Sequence, residues 1–425
     1  MVRQYKDSGF EWIGKIPETW EVDIAKHVFR QRRDKGNEEC QLLAATQKYG
    51  MYPQHLLEGV VKVAADTDFS QFKTVHINDY VISLRSFQGG FEMSDYEGVC
   101  SPAYQVFFAT RQICNQYYKY LFKSDAFIQE INSLTVGIRE GKNILYDDFA
   151  LLSIPIPTVC DQQQIADYLD EKCREIDGLI ALQEQMIAQL TNYKQSVITE
   201  AVTKGLNLDA QLVPSGIEWI GDVPKGWKVC RIKDIFRLRT GTTPKDFEQG
   251  LSSDALVNWF TPSDVAEMNC ELSSSERHLS QEVIKKEGIE LSPAGSLIFV
   301  GIGASAGKIG YATVEGYSNQ QITMLIPKQN KCFGKYSYFY MIADRKRIRD
   351  NAFFTTLPII NNTYLSGIKT LLPPIDEQRA IAEYLDAKCG EIDKLIAKKQ
   401  LKIETLKEYK KSVIYEAVTG KTVIK

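Results

Sequence analysis

Apolar residues fall at helical spacing along two long stretches of the chain and gather in short runs elsewhere. One stretch carries Ile165, Leu169, Ile176, Leu179, Met186, Leu190, Tyr193 and Val197, widened by Cys173, Ile180 and Ile187. The other carries Ile381, Leu385, Ile392, Leu395, Leu406, Tyr409 and Val413, widened by Cys389, Ile396 and Ile403. The stripes predict two helices of about forty residues, each spanning roughly 60 Å, that are unstable alone and pair as a coiled coil. Gln183 interrupts one seam, Lys399 and Lys402 the other, where polar residues fix register at some cost in stability. Proline-bounded extended stretches, 154–157 and 372–374, precede the helices. Asp161 and Asp376 suit an N-cap or a first turn, and Gly205 and Gly420 stop the two helices in matching places.

Outside the stripes the pattern is mixed. Extended runs at 79–84, 296–300 and 309–314 alternate with helical patterns at 114–131 and 333–350, so the intervening segments read as α+β.

An internal repeat sets the architecture. Ser8-Gly9-Phe10-Glu11-Trp12-Ile13-Gly14 recurs as Ser215-Gly216-Ile217-Glu218-Trp219-Ile220-Gly221, with Pro17 and Trp20 matching Pro224 and Trp227. Ile165-Ala166-Asp167-Tyr168-Leu169-Asp170 recurs as Ile381-Ala382-Glu383-Tyr384-Leu385-Asp386, and Ser196-Val197-Ile198 as Ser412-Val413-Ile414. The blocks between, about 23–150 and 230–366, scarcely match. Two scaffolds of one design therefore carry two different heads. The predicted organisation is a first recognition domain at 1–157, a spacer helix at 158–205, a second recognition domain at 206–374 and a second spacer helix at 375–425. The fold class is α+β, two α/β heads joined by two antiparallel helices in a pseudo-twofold duplication.

Composition narrows the class. The 425 residues, 44% hydrophobic and 25% charged, suit a globular chain of more than one domain. No apolar run is long enough for a membrane span, and no signal peptide is visible at the N-terminus. Nine cysteines scattered singly fit a reducing cytosol and argue against a disulfide framework or a zinc site. The net charge of −3 gives no global sign of nucleic-acid binding, so positive charge would have to be local: Arg30 to Lys35, Arg231 to Arg239, and Arg345 to Arg349.

Several enzyme signatures fail on inspection. The glycine-rich run 301–310 lacks the Walker spacing, since Ile302 and Ile309 replace the required Gly and Ser or Thr. It also lacks the helix and acidic residue of a dinucleotide loop. It reads as a tight turn between two strands, with Lys308 able to approach a phosphate backbone. A nuclease set of Asp125 with Glu140 and Lys142 has Ser124 where proline is usual, and Pro373-Pro374 lies in no methyltransferase context. No catalytic residue and no metal site is assigned. Side chains suited to base edges and phosphates lie in the heads instead. The first head offers Thr46, Gln47, Lys48, Arg85, Ser86, Gln88, Ser101 and Tyr104. The second offers Arg239, Thr240, Thr242, Lys245, Ser263, Lys308, Asn319 and Gln320.

The Pro-x-x-x-(Asp/Glu)-Gln motif at 157–162 and 373–378, the Ile-Ala-x-Tyr-Leu-Asp that follows, the Glu-Trp-Ile-Gly openings and Ser101-Pro102-Ala103-Tyr104 together resemble the conserved regions of type I restriction–modification specificity subunits. The resemblance covers the whole chain in order. It implies a non-catalytic, cytoplasmic protein that reads a bipartite, asymmetric target in double-stranded DNA through its two heads. It also implies docking of two methyltransferase subunits and, in the larger assembly, of restriction and translocase subunits. S-adenosylmethionine, ATP and Mg would belong to those partners. A free-standing DNA-binding regulator, a protein-only coiled-coil scaffold and an enzyme, which intrinsic methylation by the isolated chain would reveal, are the alternatives. Copurification of a methyltransferase tells against the first, and DNA binding against the second.

Overall fold

The computed structural model describes residues 3–36, 40–57, 69–83, 90–133, 144–244, 256–267, 270–328, 331–351, 353–354 and 358–424. Its contacts separate two units, Met1–Glu184 with Gln400–Lys425, and Gln185–Lys399. The stripes form two unbroken helices, Val159–Lys204 of 46 residues and Ile375–Val418 of 44 residues, and each helix gives one half to each unit. In the first unit Ile165, Ala166 and Leu169 share a core with Val413, Ala417 and Val418, while Asp177 meets Lys410 at 2.7 Å. The beginning of one helix thus lies against the end of the other, which makes the pair antiparallel. In the second unit Val197, Ile198, Ala201 and Val202 share a core with Ile381, Ala382 and Leu385, and Lys194 meets Asp393 at 2.6 Å. Both helices end where expected, followed by Gly205 at φ +74° and Gly420 at φ +73°, a conformation that favours glycine.

The repeat extends to individual hydrogen bonds. The Trp20 indole donates to Asp161 and the Trp227 indole to Glu377, each at 3.0 Å. The Gln162 amide donates to Pro157 O and accepts from Cys114 N at 2.8 Å, and Gln378 does the same with Pro373 O and Phe333 N at 2.8 Å. The Tyr117 hydroxyl donates to Val418 O, the Tyr336 hydroxyl to Val202 O. The Pro-x-x-x-(Asp/Glu)-Gln motif is therefore a joint: its carboxylate holds the entry tryptophan and its glutamine ties the spacer helix to a helix start in the head. Asp161 and Asp376 both lie in first helical turns, as expected, and the side chain that repeats the tryptophan-holding role of Asp161 is Glu377, its counterpart in the motif. Thr158, rather than Asp161, caps the first helix, accepting from Asp161 N at 3.1 Å.

The heads are built alike. In the first, an antiparallel sheet runs Phe29–Arg32, Gln105–Ala109, Tyr80–Ile82, Phe91–Met93. In the second it runs Phe236–Thr240, Ile322–Pro327, Leu297–Val300, Ile309–Ala312, extended by a parallel Glu271–Leu272. The shared four strands keep the same order along the chain and across the sheet. Helices cover one face: Asn115–Lys123, Asp125–Ser133 and Tyr146–Ala150 in the first head, Gly334–Asp350 in the second. The helical pattern at 114–131 is split, because the Ser124 hydroxyl donates to Leu121 O and accepts from Phe127 N, ending one helix and starting another. The expected return strand at 309–314 ends at Ala312.

The seam departs from the expected one by one residue. Leu169, Ile176, Val197, Leu385, Ile392 and Val413 are buried as expected, and Ile165 and Ile381 are buried in the head cores. Leu190 and Leu406 are half-buried, as is Met186. Leu179, Tyr193, Leu395 and Tyr409 are instead 45–55% exposed. Their places in the heptad are taken by Ile180, Lys194, Ile396 and Lys410, and Cys173, Gln183 and Cys389 are buried in the same seam. At two of the four turns the seam residue and its exposed neighbour are both aliphatic, Ile180 beside Leu179 and Ile396 beside Leu395, and at the other two a lysine takes the seam beside a tyrosine, so residue type alone does not select the column.

Candidate nucleic-acid interface

In the second head, one end of the sheet gathers the loops that follow Thr240 and Val300 and precede Ile309 and Ile322. A smaller sheet, His278–Ser280, Leu256–Phe260, Tyr317–Ser318, ends at the same place, where Asn319 N donates to Phe260 O at 3.0 Å. Two loops are laced here by main-chain bonds, Gly241 N to Ile322 O at 2.9 Å and Thr242 N to Ser318 O at 2.8 Å. A Cβ on Gly241 would lie 2.2 Å from Ser318 O, so the approach admits only glycine.

The structure brings Thr240, Thr242, Ser263, Lys308, Asn319 and Gln320 to this end, though with different roles. Asn319 is buried and brackets Gln321, donating to its Oε1 and accepting from its N, both at 3.1 Å. It shapes the loop and leaves exposed Gln320 at the surface, where the amide accepts from Thr243 Oγ1. The Thr240 hydroxyl accepts from Asn362 Nδ2 at 2.8 Å, and Asn362 Oδ1 accepts from Thr323 at 2.7 Å. Ser263 is exposed, its hydroxyl 2.8 Å from that of Thr261. Arg239 lies one residue inward, held by Glu290 at 3.2 Å and by Leu291 O at 3.3 Å. Arg237 beside Glu290, together with Arg239, holds that carboxyl below the usual range. The glycine-rich run forms the expected turn between antiparallel strands, with Phe299 opposite Ile309, and leads into a strand rather than a phosphate-binding helix. Lys245 lies outside the described residues.

The first head repeats the arrangement with other side chains. Gln105 begins the strand beside Ile82, and its Oε1 accepts from Gln31 Nε2 at 2.7 Å. Arg33 Nε donates to Gln31 at 3.2 Å, extending a line of amides and a guanidinium along this end. Tyr104 and Ser101 lead into it; the Ser101 hydroxyl closes a turn by accepting from Ala103 N at 3.3 Å, and Tyr104 packs on a small core with Leu43, Met51 and Val106. Thr46 closes the hairpin of Leu43–Thr46 with Gly50–Pro53, donating to Gly50 O at 3.0 Å. Gln47 and Lys48 are exposed at its tip, with the Lys48 ammonium over Tyr49 at 4.7 Å. Arg85, Ser86 and Gln88 lie outside the described residues.

The basic runs divide on inspection. Arg32 forms two bonds to buried Asp79, at 2.7 and 3.0 Å, which raise its pKa and hold it in the framework. Arg347 is likewise spent on Asp344, whereas Arg345 and Arg349 turn toward Glu267 and Gly307. The side chains picked out for base edges left out Gln31, Arg33 and Gln105 in the first head and Thr243 and Asn362 in the second, although Gln31 and Arg33 lie in the basic run from Arg30 to Lys35. Two of the basic runs fall on edge strands, Phe29-Arg30-Gln31-Arg32 and Phe236-Arg237-Leu238-Arg239, in the same sheet position. Burial pushes the thiols of Cys100 and Cys332 up to about 12, so neither ionises near neutrality. Among the described residues no group of three His, Cys, Asp or Glu could hold a metal ion, and no helix is long and apolar enough to cross a membrane. What the sheet ends present is hydrogen-bonding amides, hydroxyls and cations, the groups that contact base edges and phosphates.

Known proteins carry the same plan. The type I restriction modification DNA specificity domain matches twice, at residues 17–192 and 224–405. The MjaVIII specificity subunit of Methanocaldococcus jannaschii is 23% identical over 99% of this chain and 97% of its own. The EcoKI specificity subunit of Escherichia coli is 25% identical over 70% of this chain and 63% of its own. Among solved structures, a chain of a type I restriction–modification assembly superposes with a TM-score of 0.75 at 15% identity, covering 96% of this chain and 99% of that one. The HsdS subunit from Thermoanaerobacter tengcongensis gives 0.52 at 15% identity, covering 96% and 98%. The duplicated match, the paired heads and the antiparallel helices agree, and the chain belongs to the family of type I restriction–modification specificity subunits, the non-catalytic DNA-recognition components of those systems.

Proposed function

We propose that the two heads read two different half-sites of one asymmetric DNA target, separated by a spacer whose sequence is not read. The observation that carries this reading is the contrast between the sheet ends. One topology presents Gln31, Arg33 and Gln105 in the first head and Thr240, Gln320 and Asn362 in the second. Equal frames with unequal side chains hold two readers that recognise unlike bases. The helices dock two methyltransferase subunits, and restriction and translocase subunits join the larger assembly; exposed Leu179, Leu182, Leu401 and Tyr409 on the helices support such docking. S-adenosylmethionine, ATP and Mg are supplied by those partners, and the complex works in the cytoplasm.

Methylation profiling of host DNA by single-molecule sequencing tests the reading. The expected motif is two-part and asymmetric, and replacing residues 23–150 with another head changes one part alone. A continuous or perfectly palindromic motif refutes it.

A further inference from the structure

At the sheet end of the second head, two cations lie beneath one carboxylate. Glu267 Oε1 stands 3.6 Å from the Lys308 ammonium, and Oε2 accepts from the Arg345 guanidinium. Arg345 also donates to Gly307 O at 3.1 Å and to the main-chain oxygen of Glu267, while Lys308 O accepts from Val300 N at 2.9 Å. The cations are thereby fixed to the glycine turn and the sheet. Arg349 packs on Gly307 and adds its charge to the same spot. Exposure separates the partners: the side chains of Arg345 and Lys308 are 13% and 19% exposed, that of Glu267 is 64% exposed. The carboxylate occupies the outer side of the pair, beside a groove of about 800 Å³ lined also by Lys346 and Arg349 and, from the spacer helix, by Gln195 and Thr199. Arg345 holds the Glu267 carboxyl below the usual range, so it is anionic at neutral pH.

We propose that Glu267 is an intramolecular stand-in for a DNA phosphodiester, seated on Lys308 and Arg345 in the unbound head and displaced when a duplex docks. The inference rests on the DNA-reading assignment of this sheet end. A guanidinium fork and an ammonium that accept a carboxylate accept a phosphate equally well. Displacement opposes binding by the strength of one exposed ion-pair set. Because a phosphate carries no sequence, the effect falls on every duplex alike.

The test uses the full chain purified in its native assembly, with two mixed-sequence 30-base-pair duplexes titrated across a salt series. Glu267→Gln is compared with Glu218→Gln, which removes the same charge from an exposed residue of the same unit. Glu267→Gln is expected to tighten both duplexes about two- to fivefold. It should also steepen the dependence of log K on log salt by up to roughly 0.9. In a Lys308→Gln background the gain should shrink, since the cation pair is already broken. Equal behaviour of the two glutamine variants overturns the proposal, as does tightening confined to one duplex. A gain abolished by inorganic phosphate at matched ionic strength assigns the site to a small anion and also overturns it. If the unsubstituted assembly binds neither duplex, the DNA assignment itself fails and the proposal falls with it.

Discussion

The same ion pair occurs twice in this molecule and should not be worth the same twice. Lys194 pairs with Asp393 and its repeat counterpart Lys410 with Asp177, at 2.6 and 2.7 Å. Lys194 is 2% exposed and Asp393 41%, whereas Lys410 and Asp177 are 29% and 58% exposed. A buried cysteine lies near each lysine, Cys389 by Lys194 and Cys173 by Lys410, so the exposures of the charged partners themselves set the two pairs apart. Asp393→Ala leaves an ammonium in the seam without that carboxylate. Such losses reach several kcal/mol when both partners are buried; with Asp393 half in water the expected cost is about 2–3 kcal/mol. Asp177→Ala breaks the exposed copy and should cost less than about 1 kcal/mol. Lys194→Met removes the charge and fills the seam, and should fall within about 1 kcal/mol of the parent. Thermal unfolding of the full chain reads the difference, since a unit of this size shifts by about 2–4 °C per kcal/mol. If Asp177→Ala is as costly as Asp393→Ala, or Lys194→Met costs as much as losing the carboxylate, burial is not what distinguishes the two pairs.

Other outcomes follow from the same geometry. Gly241→Ala forces apart the loops at 240–244 and 318–322; a loss of about 1–3 kcal/mol is expected by thermal unfolding, with methylation profiling showing relaxed reading of one half-site only. Inserting one heptad after Gln183 alone should destabilise the helix pair, whereas matched insertions after Gln183 and Lys399 should fold and lengthen the spacer of the methylated motif; an unchanged spacer in a folded double insertion defeats the idea that the helices set it. Arg3 and Gln4 line the same groove as Val423 and Ile424, so joining the termini by a short linker and opening the chain near Asn207 to Gln211 should yield a folded permutant that methylates the original motif. Failure to fold with an ample linker refutes the cyclic equivalence of the two halves.

Much of this fold is local in origin and could be read from the chain. The duplication, the two long helices and their stops at Gly205 and Gly420 follow from periodicity and from a backbone conformation that favours glycine. The turn within 301–310 follows from glycine between two apolar runs. Which column of each helix becomes the seam was decided by tertiary contact. Both columns satisfy helical spacing, and the helices meet along the column that holds Lys194 beside Asp393 and Lys410 beside Asp177 and runs on into the two head cores, leaving Leu179, Tyr193, Leu395 and Tyr409 outside it. At the joint the motif aligns Glu377 with Asp161, but only the closed fold brings Glu377 to the indole of Trp227 some 150 residues away in sequence. The site was half legible: Thr240, Asn319 and Gln320 were visible as polar loop residues, but whether each faces solvent or braces a loop depends on partners far along the chain. Asn319 is buried under Gln321 while Gln320 beside it is exposed, and Asn362 reaches Thr240 across 122 positions. Residue type and spacing carry the propensity of a segment, but only the closed sheet decides which side chains share one end of it, because those neighbours come from strands that do not adjoin in sequence.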